Sequence, residues 1–160
     1  MAILTTSGRT AIALAVAAQP LHLAWGTGDP AWDATPVPEP TDATALVAEL
    51  GRHAVDVQKY CTPDPAGDIT VPEGRYRTSP TPTNHLYVQF NFDYADEPTA
   101  VIREVGVFLG TAPKPAVPAG KGYLLPADLD SPGVLLALQR VPAIPRSSAT
   151  RQSFEFVLEL

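Results

Sequence analysis

The side chains able to do chemistry are few and scattered. His22, His53 and His85 fall in three separate segments, and none stands three or four residues from another candidate ligand in a helix, so a zinc site would have to be assembled wholly by the fold. They read as surface or strand-edge histidines. Ser7, Ser79, Ser131, Ser147, Ser148 and Ser153 lie in caps, loops or strand starts, and the G-x-S-x-G turn that exposes a nucleophile is missing. The acids Asp96 and Glu97, and Asp128 and Asp130, flank prolines, where carboxylates accept turn hydrogen bonds; this explains them better than a glycosidase or other hydrolase pair. Gly26-Thr27-Gly28 follows a strand-like stretch, but Pro30 and more prolines stand where a phosphate-binding helix would begin. Cys61 has no basic cluster beside it to lower its pKa. The residue types therefore predict a protein that is not an enzyme and carries no metal and no cofactor.

Binding is the chemistry that remains. Tryptophan in a loop of Pro and Asp is either a packed anchor or a binding hot spot. Trp25 lies in strand register and reads as packed, whereas Trp32 is the best single interface candidate. The protein interface is expected at Trp32, Pro36, Pro38 and Pro40, with Tyr76 and Tyr123 from the longer loops. Trp32, Tyr76 and Tyr87 also keep open the alternative of a carbohydrate-binding module for host-surface glycans.

The elements that must position these residues follow from periodicity. Thr6 to Ala18 is Ala-rich and free of proline, with Thr6 or Ser7 as N-cap, and predicts a helix ended by Gln19-Pro20. Leu21, Leu23 and Trp25 alternate as a short strand. Thr41 is placed to cap a second short helix with Leu46, Val47 and Leu50 on one face and Gly51 at its end. Arg52 to Tyr60, His85 to Tyr94, Ala100 to Leu109, Val134 to Val141 and Ser153 to Leu160 read as strands, with Gly106 at a bulge or close approach. Loops are expected at about 29–40, 61–84 and 111–132, the middle one with at most a short strand at Ile69 and Val71. The fold class read from this is α+β: two short N-terminal helices packed on a mostly antiparallel sheet, with long proline-rich loops, in a single domain spanning 1–160.

Composition sets the remaining bounds. The net charge is -6 with no run of Lys or Arg, so nucleic acid is not an expected partner. The longest apolar run, Ala11 to Ala18, is too short to cross a bilayer, and no secretory leader pattern opens the chain, which predicts no membrane association and no export. The 18 prolines are about twice the usual share of roughly 5%, which requires long irregular connections. Such loops are stiffened in advance and lose less entropy on docking.

Four stretches taken in order, "LTTSGRTAIALAVAAQ", "LHLAWGTGDPAW", "ATALVAELGRHAVDV" and "IREVGVFL", together with the closing "GVLLALQRVPAIPRSSATRQSFEFVLEL", give a resemblance to the phage tail-collar fibre family, the N-terminal baseplate-attachment domain of tail fibres. "IREVGVFL" is the most specific of them. The resemblance implies a structural protein of the virion tail, in contact with other phage tail or baseplate proteins. It also implies a homo-oligomer, trimer or hexamer, assembled in the host bacterial cytoplasm. The chain ends where a fibre would continue into its shaft, which favours a baseplate or collar adaptor over a host-binding fibre.

Overall fold

Twelve Ala-rich residues, Thr6–Ala17, form α1, the one α-helix of a computed structural model that describes residues 1–160. Thr5, one residue ahead of the expected cap, accepts the Gly8 amide at 3.1 Å. At the other end Gln58 donates to the Ala17 carbonyl at 3.0 Å, satisfying an orphan acceptor of the last turn. Strands β1 (Leu21–Gly26), β2 (Glu49–Ala54), β3 (Val57–Pro63), β4 (Ile69–Val71), β5 (Gly74–Thr78) and β6 (His85–Phe92) follow. Then come β7 (Val101–Leu109), β8 (Ala112–Pro113), β9 (Tyr123–Leu124), β10 (Leu129–Ser131), β11 (Val134–Pro145) and β12 (Gln152–Glu159).

The expected α+β class is corrected by this arrangement. Strands take 44% of the chain and helix, 3-10 turns included, 12%, and the second N-terminal helix does not exist. Its residues run irregularly to Val47 and Ala48, whose amides both donate to the buried Glu104 carboxylate, at 3.1 and 2.8 Å. Those donors are thereby taken from any i to i−4 ladder. Gly51 is no helix cap but a strand residue over which Tyr123 lies; a Cβ there would fall 2.4 Å from the ring's Cζ and Oη. The single strand expected over Arg52 to Tyr60 is two, β2 and β3, in different sheets.

The chain divides into two compact units. The first, made of Met1–Gln19, Val55–Phe90 and Ser153–Leu160, holds the sheet ordered β12-β6-β3-β5-β4. One of its core clusters is Cys61, Ile69, Val71 and Tyr87, with Val57, Tyr76 and Val157 packed against them. Residues 61–84, expected as loop, contain the β4–β5 hairpin, whose partners face each other as Ile69 and Tyr76, and Val71 and Gly74. Carboxylates hold it: Asp68 accepts the Thr78 amide and hydroxyl at 2.9 and 2.8 Å, and Asp64 pairs with Arg77 at 2.6 Å.

The second unit, Pro20–Ala54 and Asn91–Gln152, holds the sheet β11-β7-β1-β2-β9 and the small pair β8–β10. Every residue of β1 is buried, because it pairs on both edges, antiparallel to β7 without interruption from Leu21–Leu109 to Gly26–Glu104 and to β2 on the other side. On one face Trp25 stacks on Phe92, centroids 3.7 Å apart, and donates its indole N–H to the Tyr123 hydroxyl at 2.8 Å. On the other, Ala24, Leu46 and Phe108 pack with Leu135 and Leu138. Arg52, 1% exposed, lies over the Phe108 ring at 4.0 Å, forms a bidentate pair with Glu49 at 2.8 and 2.9 Å, and donates to Thr111 and the Pro132 carbonyl. Burying a charge this deeply is costly, and the cost is offset by the Glu49 carboxylate and by hydrogen bonds from four of the five guanidinium N–H groups.

Candidate interaction surface

Strand β7 is where the loops of the second unit are tied down, and its residues 102–109 are the "IREVGVFL" stretch. Arg103 makes a bidentate pair with Asp33, both bonds 2.8 Å, which holds Asp33 below the usual carboxylate range. That pair anchors the 3-10 turn Pro30–Asp33, whose N-cap Asp29 accepts the Ala31 amide at 2.9 Å. Glu104, the next residue, fixes Val47 and Ala48 as above. Gly106 is a close approach and not a bulge: the β1–β7 register runs straight through it, and a Cβ would meet Leu135 at 2.8 Å and Leu46 at 3.0 Å. Three positions of one short strand thus each hold a different piece of chain.

Trp32 sits on this turn, half-buried. Its ring lies against Gly28, where a Cβ would come within 2.3 Å, and the Arg140 guanidinium lies over it at 4.1 Å. Gly28 has φ +55, so glycine meets both the left-handed backbone and the ring's approach. Arg140, from β11, also donates to the Val37 and Pro38 carbonyls at 2.6 and 2.8 Å, while its own amide donates to Glu39 at 2.8 Å. That backbone bond is the main reason the Glu39 carboxyl is held low. The proline-rich segment is therefore strapped along β11, an outer strand of its sheet, with Pro36, Pro38 and Pro40 exposed. Between segment and strand runs an apolar groove. One pocket of about 270 Å³ is bordered by Trp32, Pro36 and Val141, and another of about 270 Å³ by Pro40, Ala43 and Leu136.

The structure brings Trp32, Pro36, Pro38 and Pro40 onto one surface, as four of the six candidates. Tyr123 belongs to the same unit but is engaged inside it: it takes the Trp25 hydrogen bond, reaches Glu97 at 3.5 Å and meets Phe92 edge-on, and burial is the main cause raising its phenol pKa. Tyr76 packs on the Cys61 core of the other unit, tilted against His85. Arg140 was not a sequence candidate, although it organises the surface; its partners lie about 100 residues away in sequence, and an arginine in a strand pattern gives no sign of them. No group of three or more His, Cys, Asp or Glu side chains is placed to hold a metal ion. Burial pushes the Cys61 thiol up to about 11, away from reactive thiolate behaviour.

No curated protein matches the sequence. A family model described as "Baseplate wedge 3 tail fiber network component" matches residues 1–160, the full chain. This supports the broader content of the resemblance, a phage tail and baseplate component, and does not single out the tail-collar fibre family.

Proposed function

Because the chain belongs to the baseplate wedge 3 tail fiber network component family, we propose that it acts as a non-enzymatic adaptor of the phage baseplate, working through protein–protein contacts made by the Trp32 to Thr44 segment. The observation that carries this reading is the strapping of that segment: Arg103 fixes its start at Asp33, Arg140 and Glu39 its middle, and Glu104 holds Val47 and Ala48 just beyond its end. The result is a proline-rich surface whose shape is set before any partner arrives, so little entropy is lost on docking. A trimer or hexamer in the tail, assembled in the host bacterial cytoplasm, fits the same reading. The carbohydrate-binding alternative needs free aromatic faces, whereas Trp32 lies between Gly28 and Arg140, Tyr76 packs on the Cys61 cluster and against His85, and Tyr87 is buried.

The test is incorporation into virions. Phage lacking the gene are complemented with the wild-type chain or with Trp32→Ala, and purified particles are analysed by mass spectrometry and electron microscopy. The expected result is a folded Trp32→Ala protein, by circular dichroism, that is absent from tails. Wild-type incorporation of the variant would remove the assigned surface, and an unfolded variant would return Trp32 to the core.

A further inference from the structure

The two five-stranded sheets end in four strands, and an end strand presents backbone N–H and C=O groups that another chain can pair with. β9 and β4 are two and three residues long, too short to serve as a template. β12 carries Glu155 and Glu159, and charge on an end strand opposes the addition of another. β11 is different. It is twelve residues long, and although Pro142 and Pro145 interrupt its second half, residues 134–139 (VLLALQ) contain no charge, no proline and no glycine. Six such residues at a sheet end are the sequence signature of strand-on-strand aggregation.

Beside that half lies the proline-rich segment. Residues 36–37 share a cavity with 140–142, residues 39–43 with 135–138, and residues 41–44 with 133–135, so the segment runs antiparallel to β11. It adds no strand, however: residues 36–44 form no ladder, and proline at 36, 38 and 40 leaves only Val37 and Glu39 with an N–H in that stretch. Side chains close the edge instead. The Arg140 amide points away from β7 and donates to the Glu39 carboxylate at 2.8 Å, which stands where the carbonyl of an added strand would stand. The register with β7 is unbroken from Ala137 to Arg140, so the Leu138 amide faces the same side. The Arg140 guanidinium, donating to the Val37 and Pro38 carbonyls at 2.6 and 2.8 Å, holds the segment down over this edge.

We propose that residues 36–44 guard the edge of β11, ending the sheet so that residues 134–139 of a second copy cannot pair with it. Glu39 and Arg140 are the latch of the guard. The role goes beyond the adaptor reading and does not depend on it, since the guard works through the inner side of the segment and docking through the outer.

The test opens the latch in the full-length protein with Glu39→Ala/Arg140→Ala. Mass is read by light scattering across a dilution series, and backbone hydrogen exchange of peptides covering residues 134–141 by mass spectrometry. At concentrations where wild type keeps a constant mass, the open-latch variant is expected to gain mass. Its exchange in residues 134–141 should slow at least about tenfold as the concentration rises, because the edge amides become paired. Two further changes should reverse this. Glu39→Ala/Arg140→Pro opens the latch equally but removes the outward amide, and that amide is not part of the β7 ladder, so β11 is kept. Val134→Lys, added to the open-latch variant at an exposed position, sets like charges on the paired strands. Should the double variant fail to fold by circular dichroism, Glu39→Ala alone, at an exposed residue, carries the same test. An open-latch variant with the mass and exchange of wild type overturns the proposal. So does a gain of mass without protection of residues 134–141, or one that neither Arg140→Pro nor Val134→Lys diminishes. The Trp32→Ala virions report on the docking surface separately, so either reading can fail while the other stands.

Discussion

Glu104→Gln isolates the interaction that turns residues 41–48 away from a helix. The carboxylate is 2% exposed, and each of its oxygens accepts one backbone amide, Val47 at 3.1 Å and Ala48 at 2.8 Å. Glutamine has the same shape but one acceptor. Its NH2 must face one of the two amides, leaving a buried donor unsatisfied at about 1–3 kcal/mol, and the remaining bond loses the extra strength of a charged acceptor, about 1 kcal/mol more. The expected loss is about 3 kcal/mol. In a chain of this length that lowers the melting temperature by about 6–12 °C. Urea unfolding followed by Trp25 and Trp32 fluorescence gives the difference directly, with Asp130→Asn on the surface as a control expected within about 0.5 kcal/mol. Far-UV circular dichroism should show added helix, because the freed segment keeps its helical apolar spacing. A Glu104→Gln protein within about 0.5 kcal/mol of wild type would refute the idea that this carboxylate decides the local fold.

His22 gives a pH dependence. Burial first, then Arg52 and His53, lower its pKa from 6.5 to about 4, and its Nδ1 has no hydrogen-bond partner. The folded state therefore binds fewer protons than the unfolded one, so the stability is full above pH 6.5 and is lost as pH falls toward 4. The loss is no more than about 3 kcal/mol and should shrink in His22→Phe when chemical denaturation is repeated across that range. Gly51→Ala drives a methyl into Tyr123 and costs about 3 kcal/mol, with loss of the near-ultraviolet signal of the Trp25–Tyr123 pair; an unchanged spectrum and stability would contradict the packing. Cys61, with its pKa raised to about 11 against 9.0, should be alkylated by iodoacetamide at least about 100-fold more slowly in the native state than after unfolding, and equal rates would place it outside the core.

What could be read from the sequence was set by local chemistry. α1, β6 and β12 were visible because alanine content or alternation fixes them within their own few residues, and β7 because it is a short run rich in β-branched and aromatic residues. The second helix failed because its decisive partner, Glu104, lies 57 residues from Val47, and no local pattern carries that information. The β4–β5 hairpin was hidden for a related reason: Gly-Arg-Tyr-Arg-Thr has little apolar alternation, and Asp64 and Asp68 do the holding. Gly51 has the same residue type at a helix end and in a strand under a tyrosine ring, so glycine alone could not separate the two. On the candidate surface, tryptophan among prolines marked the segment. The arginine that shapes it stayed unmarked, since a strand pattern predicts only that such a side chain points outward.

The double pairing of β1 also governs how the protein is made. Leu21–Gly26 is complete early in synthesis, but its partner on one edge, Val101–Leu109, is translated about 80 residues later. Until then six core residues, Trp25 among them, leave the ribosome without the strand that covers them. Folding of this sheet must therefore wait for most of the chain, and until then the nascent Leu21–Gly26 segment stays open to non-native pairing.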